Sequence, residues 1–550
     1  MTGPARILVA GAGPAGLALA LQAHDHGADV RVIDRRPEAF RPSRALIMHA
    51  RTLEVLRPLA VTQALLARAD TAPAADLHLG GRVVRIRLAD LALPDTAFPH
   101  LTLIRQMDVE TVLAAALAQR GVEVERGTEL LQVRDEPEGA RAVLRSRTKA
   151  EEAVFGFVAG CDGPASTVRA QAGIGWPGRP YAVEVVLADA ELDADLTGGA
   201  AQVVAGRRGL LFAFRLGERA AWRLLATRPA GPDPLPFGQP GPPVPATELQ
   251  ALVDEAGLGA QIGGLAWSTR IRLQHRTATR FRHGRLFLAG DAAHAYSPAT
   301  GQGMNAAIQD AANLGWKLAF AASQPGDSAL LLTSYDGERR PVARQVLAMT
   351  HLAFWGEAST GRLPSLMRGR LAPLAAPLLP ALMRRRHLVA AGIRLLSQLA
   401  VSYRGSPLSV EGTPRPRGGP RAGDRLPDKT VTSAGRTLRL HELLARPGVH
   451  VLLERDADRL DDLAVGPMVH VHRLTSIPGR GLIAVRPDGH VGFRGQIADA
   501  NQLAAWLAHM DVPLRPTVRV DGSPPAPGGP SSLYLMPSGG MSLDRTCVHS

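Results

Sequence analysis

Cysteine is almost missing from this 550-residue chain: there are two, Cys161 and Cys547, far apart in sequence. A disulfide scaffold is thereby excluded, and a reducing compartment, the cytoplasm, is the expected location. Long apolar runs are missing too. No stretch of about 18 strongly apolar residues occurs, so no membrane span and no membrane partner are expected. The apolar opening from Ile7 to Ala23 contains Gly11, Gly13 and Gly16 and continues directly into ADVRVID, as a folded domain does and a cleaved leader does not. Lysine is scarce as well. All but Lys149, Lys317 and Lys429 of the 63 basic residues are Arg, and against 50 acids they leave a formal charge of +13. A nucleic-acid surface would be basic. No finger, helix-turn-helix or basic-aromatic module accompanies the charge, and the arginines are spread along the whole chain, so no nucleic-acid partner is expected. The histidines, His294 and His351 among them, form no ligand cluster with Cys or carboxylates, and no metal is expected.

What the chain does have is length for two or three domains, a globular 45% of apolar residues, and many turns, with 57 Gly and 43 Pro. RILVAGAGPAGLALALQAHDHGADVRVIDRR predicts a buried strand, a glycine turn, a helix and a second strand ending at Asp34. MDVETVLAAALAQRG, Met107 to Gly121, predicts a helix stopped by glycine, with the strand VEVERG after it. From Tyr181 to Trp267 the pattern becomes strands without long helices, interrupted by a proline-rich loop from Pro229 to Pro245. LFLAGDAAH then returns to strand and helix. A Gly/Pro/Arg stretch from Glu411 to Asp428 predicts a linker. Beyond it lies a small α/β unit with a hairpin at RPDGHVGFR, turning at Asp488-Gly489, and then a Pro/Gly-rich tail.

Two glycine-rich turns carry the chemistry. In GAGPAG, Gly11 would make the tight turn, Gly13 would let the backbone approach a pyrophosphate, and Gly16 would allow close helix–sheet packing, with Pro14 and Ala15 opening the helix. The phosphates would sit at that helix N-terminus. Asp34 ends the next strand, where an acid takes a ribose hydroxyl pair, and Arg35 follows it; an acid there suits FAD or NAD better than NADP. The second turn is LFLAGDAAHAYSPATGQGMNAAIQDAANLGWKLA. An ordinary Ala-rich core helix would explain the helix, but not Gly301 and Gly303 before it. His294 reads as a structural member of its turn, and Cys161 stands beside the Asp162-Gly163 pair.

With GCDGPASTVR between them, these motifs resemble the class A FAD-dependent aromatic hydroxylases, the group related to para-hydroxybenzoate hydroxylase, over about 400 residues. The resemblance implies an α/β fold: an FAD-binding Rossmann-like domain over 1–180 and, with further helices, 271–405, and an interleaved substrate-binding sheet over 181–270. It assigns Gly290 and Asp291 to the ribityl and pyrophosphate region. It lays Gly301, Gly303, Met304 and Asn305 against the isoalloxazine ring, with Pro298 at its edge. Asp162, Gly163 and Arg169 match the family's DG motif, used around FAD and the nicotinamide cofactor. The resemblance makes Cys161, next to that motif, a buried neighbour of the cofactor and not a nucleophile. RPSRALIMHARTLEVL places Arg44 on the FAD phosphates with a part in flavin reduction, and IRQMDVETVL gives Arg105 and Gln106 as cofactor contacts. A helix starting near Gly303 would aim its N–H groups at the reduced flavin's negative charge.

The unit at 423–515 resembles the thioredoxin-like domain of phenol hydroxylase and aromatic polyketide hydroxylases, before a tail at 516–550. It has no Cys-x-x-Cys, so packing or oligomerisation is the role left to it. The implied activity is NADH- or NADPH-dependent hydroxylation of a phenolic or polycyclic aromatic substrate with O₂, through a flavin C4a-hydroperoxide, by a monomer or homodimer. The Ala/Pro/Arg-rich composition, together with the thioredoxin-like unit that the resemblance implies, favours antibiotic or other secondary-metabolite chemistry. A Baeyer–Villiger oxygenase on the same fold is the alternative, and a non-catalytic FAD-fold scaffold a second one. The Trp-x-Trp-x-Ile-Pro segment of flavin halogenases is absent.

Overall fold

Apolar runs ending in glycine turns build the cofactor side of the molecule. In the computed structural model, Ile7–Ala10, Val30–Asp34 and Phe157–Gly160 are almost wholly buried, as strands covered on both faces must be. They are the middle of a six-stranded sheet, ordered 282–283, 286–288, 157–160, 7–10, 30–34, 124–126, parallel except for the first pair. Because these strands are parallel, the turns after Ala10, Asp34, Gly160 and Leu288 come out along one edge, where α/β sheets bind ligands. The structure describes residues 6–39, 46–79, 82–194, 196, 200–206, 209–215, 219–231, 241–323, 328–359, 361–433, 435–454, 466–475, 481–496 and 500–512. Arg44, most of the Pro229–Pro245 loop and the 516–550 tail lie outside them.

Two helices cover this sheet in close contact, Pro14–Asp25 and Gln302–Ser323. They meet at Gly315, where a Cβ would lie 2.9 Å from the Leu19 carbonyl oxygen and 2.7 Å from Gln22 Cβ. The expected helix at 107–121 is Gln106–Gln119, and the strand after it is Val124–Arg126.

The second sheet is larger than expected. Its eight strands run 294–295, 261–277, 178–193, 222–229, 210–214, 201–205, 74–79, 82–87. The hairpin 74–87, assigned from sequence to the cofactor domain, joins it because Ala74–Leu79 pairs in parallel with Ala201–Ala205. An eleven-residue helix, Ala246–Ala256, also stands in the region where strands without long helices were expected. Its Leu249 and Val253 are one turn apart and pack against Val186, Ala188 and Ala190, while Gly257 ends it at φ +69°. Since strand side chains alternate, Val185 and Leu187 point the other way, toward the cofactor domain.

The C-terminal sheet has the order 410–411, 491–495, 482–485, 449–454, 469–474. The RPDGHVGFR hairpin is present, with Gly489 at φ +75°. The 411–428 stretch, expected to be a linker, is built into the body: Leu426 is fully buried, and Arg425 pairs with Glu54 and Asp95. Pro and Gly there shape a packed path, and buried Arg425 is what composition could not reveal. Among the described residues no helix is long and apolar enough to cross a membrane.

Candidate active site

One cavity of about 570 Å³ lies between the two sheets. At one end it is lined by Gly11, Gly13, Pro14, Ala15, Asp34, Arg35, Gln106, Asp162 and Gly163; at the other by Val185, Leu187, Phe212, Phe214, Leu225 and Ile271. Asp291, Pro298, Gly301, Gly303 and Met304 line it between them.

Local geometry shows why small residues stand at these turns. Gly11 has φ +103°, and a Cβ on it would lie 2.3 Å from the Cys161 carbonyl oxygen. On Gly16 a Cβ would sit 1.8 Å from the Gly11 oxygen, so its role is packing, away from the cavity. Gly13 and Gly303 are different. Among the described residues, chain neighbours and each helix's own backbone aside, no atom lies within 4 Å of where either Cβ would be. Both stand at helix N-termini with backbone open to the cavity, where unpaired N–H groups favour anions. Asp34 braces the first turn, accepting from Ala12 N–H (2.9 Å) and Arg36 N–H (2.8 Å).

The loop before the second helix is strained. Thr300 and Gly301 both have positive φ, +63° and +64°, and the Thr300 carbonyl bonds His49 Nε2 at 2.9 Å. Asn305 ties that helix start to a distant segment: its Oδ1 accepts from His49 N–H (2.8 Å) and Thr52 (2.7 Å), and its Nδ2 donates to Ile47 and Gly301 carbonyls. Beneath lies Asp310, which accepts from Gly290 N–H (3.1 Å) and Arg339 (2.7 Å) and bonds His294 Nε2 (2.5 Å). Burial alone would raise its pKa; the charges of His294 and Arg339 hold it below the usual range.

Five buried polar atoms around the cavity have no protein partner among the described residues: Asp162 Oδ1, Arg272 Nε, Tyr296 Oη, Thr300 Oγ1 and Glu357 Oε2. Native interiors satisfy most such atoms. Burial also raises two lining carboxyls, Glu110 and Glu357, to about 7 each, and pushes the Cys161 thiol far up, which suits an inert neighbour of a ligand.

The sequence matches a family model described as an FAD binding domain over residues 5–350. It is 32% identical over 539 residues to a 6-methylpretetramide 4-monooxygenase of Streptomyces rimosus, covering 91% of this chain and 93% of that one. The chain belongs to the class A FAD-dependent aromatic monooxygenases. Among solved structures, the monooxygenase resembles the aromatic hydroxylase CabE of angucycline biosynthesis, at TM-score 0.73 and 28% identity over 93% of this chain and all of that one. It also resembles a Diels–Alderase of pyrroindomycin biosynthesis, at TM-score 0.70 and 27% identity over 92% and 98%.

The monooxygenase's residues fit FAD. The two open helix N-termini and the unpaired Asp162 and Thr300 oxygens surround the space an extended dinucleotide needs. Four residues expected at the cofactor stand behind the lining. Arg105 pairs with Asp108 (2.7 Å), Gly290 bonds Asp310, and Asn305 pins the loop. Arg169 donates to Ala292 O (2.9 Å) and Pro164 O (2.6 Å) and stacks 3.9 Å from the Trp176 ring centre. In this structure Arg169 clamps the DG loop to the GD loop. Asp310, His49 and Glu357 were missed from sequence. An Asp inside an Ala-rich apolar helix was a signal for the first, since a buried carboxylate requires partners; Glu357 gave none.

Proposed function

We propose that this monooxygenase takes electrons from NADH or NADPH and hydroxylates a phenolic or polycyclic aromatic compound, of polyketide or related secondary-metabolite origin. The observation carrying the reading is that one cavity joins the dinucleotide turns to an apolar wall built from one face of the eight-stranded sheet. A flat ring fits such a slot, and the full-length similarity to a pretetramide monooxygenase supports that substrate class. Bound FAD would supply the oxygen-activating chemistry. The chain's own residues orient the ring, exclude water and handle protons. Gly13 and Asp34 would take the adenosine and pyrophosphate, Asp291 the ribityl region, and Gly301–Met304 with Pro298 the ring. Arg44 would engage the phosphates and assist reduction. Glu357, at the far end of the helix Ala329–Ala358, would accept a hydrogen bond or proton from a substrate hydroxyl.

The C-terminal unit, 423–515, is read as thioredoxin-like. Its strand order 469–474, 449–454, 482–485, 491–495, with the first pair parallel, the next two antiparallel and the helix Ala500–His509 following, supports that reading.

The test is a screen of aromatic substrates scored by stimulated NAD(P)H oxidation, with the product identified by NMR. A new phenol is the expected result. Ring expansion would replace the reading by Baeyer–Villiger oxygenation, and turnover without NAD(P)H use would point to ring-forming chemistry like that of the Diels–Alderase neighbour.

A further inference from the structure

The helical stretch after Ala358 takes no part in the site. It runs almost continuously from Arg362 to Arg384, through Arg362–Leu366, a π-helical turn Met367–Leu371, Ala372–Ala375, Ala376–Leu378 and Leu379–Arg384. One side is bolted to the body. Pro364, Arg368 and Ala376 are buried, and Arg368 donates to the carbonyls of Gly206 (2.8 Å), Gly356 (2.7 Å) and Ser359 (2.7 Å). The other side is apolar and faces water. Leu363, Met367, Leu371, Leu374, Leu378 and Leu382 follow at intervals of four, four, three, four and four, which places them on one face, and they are 41% to 76% exposed. On the next helix, Arg386–Leu396, Leu388 and Leu395 are 47% and 46% exposed and one heptad apart. A contiguous exposed apolar stripe marks an interaction surface.

Charge selects what covers it. Between Ala358 and Val410 the sequence has eight Arg and no Asp, Glu or Lys. Arg362, Arg370, Arg384, Arg385 and Arg386 are exposed among the leucines. A twofold dimer through this face would bring the same arginines onto each other, with no acid of the segment to pair them. An anionic lipid surface has the opposite sign, and a helix with leucines on one face and arginines beside them suits the headgroup boundary.

We propose that residues 362–396 seat the protein on an anionic bilayer surface, with the leucine stripe in the boundary layer and the arginines on lipid phosphates. The absence of a spanning helix does not bear on this, because an interfacial helix lies in the membrane plane.

The test is flotation of the full-length, FAD-loaded protein with vesicles of equal parts phosphatidylcholine and phosphatidylglycerol. Wild type should float with them, and at least tenfold less with pure phosphatidylcholine or at high salt. Two triple variants, L371E/L374E/L378E and R384E/R385E/R386E, should each lose binding at least tenfold. FAD content and NAD(P)H oxidation without vesicles should be unchanged, because every substituted residue is exposed and outside the cavity. The proposal is overturned if wild type stays unbound, or if both variants float like wild type. It is also overturned if sedimentation shows a dimer that the leucine variant abolishes, because the stripe would then be covered by a second copy.

Discussion

Arg486 and Glu338 are fully buried against each other, with both terminal guanidinium nitrogens on the carboxylate at 2.6 and 2.7 Å. One belongs to the C-terminal hairpin, the other to the helix Ala329–Ala358. Lys317 donates to the same carboxylate (2.8 Å), and Asp488 accepts from Arg486 (2.5 Å) and Asn313 (3.0 Å). Two cations face two anions, and burial is offset by pairing; the positive neighbours hold Glu338 and Asp488 far below the usual carboxylate range. The C-terminal sheet is thus wired into the helix Gln302–Ser323 that borders the cavity. Glu338→Gln should destabilise the protein by about 3–5 kcal/mol, because Arg486 and Lys317 lose their counter-charge. Adding Arg486→Met should recover part of that loss. A urea unfolding series checks both, and additive losses would show that the pair is not coupled.

A glycine comparison separates folding from cofactor binding. Gly11→Ala puts a methyl onto the Cys161 carbonyl at positive φ, so soluble yield and unfolding temperature should drop. Gly13→Val has an ordinary φ of −79°, and its Cβ meets no atom of the other described residues beyond its chain neighbours. The apoprotein should keep its stability within about 0.5 kcal/mol. FAD affinity, followed by flavin fluorescence, should fall at least tenfold, about 1.4 kcal/mol. Unchanged FAD affinity in Gly13→Val would show that the pyrophosphate lies elsewhere.

Those glycines were legible because a tight turn and a close approach each demand a missing side chain. The strand-turn-helix around Asp291 and the Asp488-Gly489 hairpin were legible for the same local reason. The partners of buried charges were not. Arg425 reaches Glu54 across 371 positions, and nothing local distinguishes it among dozens of arginines. The hairpin 74–87 joins a distant sheet because pairing with 201–205 satisfies backbone groups there, a choice made by topology and not by propensity. Lys317 and Asp310 stood inside an apolar helix and could have been read as buried charges. Their partners could not.

Mild acid should weaken the fold through its buried histidines. Burial lowers His26, His472 and His490 to about 4 and His450 to about 3. Their stabilising effect is complete above the unfolded value of about 6.5 and is lost as pH falls toward those folded values. Glu110 and Glu357, raised to about 7, act oppositely: their contribution is present below about 4.5 and lost as pH rises through 7. Four histidines outweigh two carboxyls, so apoprotein stability should rise from pH 5 to 6.5, by at most about 3 kcal/mol per unit. Thermal unfolding at the two pH values checks this, and a His450→Gln/His472→Gln variant should flatten the slope. A midpoint higher at pH 5 would contradict it.

Asp310 should couple stability to cofactor binding. Its carboxylate holds Gly290 N–H and His294 on one oxygen and Arg339 on the other. Arg339 also bonds the Tyr403 hydroxyl at 3.0 Å. Asp310→Asn keeps the shape but leaves Arg339 buried without its anion, a cost of about 3–5 kcal/mol. The turn carrying Asp291 loses its anchor too, so FAD should dissociate faster. Stopped-flow FAD release equal to wild type would confine Asp310 to a role in stability.

The last expectation concerns Glu357 and substrate protons. Its side chain lines the cavity, its Oε2 has no protein partner among the described residues, and burial raises its carboxyl to about 7. Near neutral pH such a group can take a proton from a phenolic hydroxyl, which makes the ring more electron-rich and easier to oxygenate. Wild-type turnover should therefore rise with pH through about 7, and Glu357→Gln should lose that rise while binding FAD normally. Stability supplies an independent check of the assignment. Ionising a buried carboxyl destabilises the native state as pH rises through 7, so Glu357→Gln should gain in unfolding temperature relative to wild type between pH 5 and 8. If the variant shows that gain but keeps the wild-type pH profile of turnover, Glu357 is a buried carboxyl without a part in the chemistry. If both change, the hydroxyl of the substrate lies beside Glu357 and its proton leaves through that carboxylate.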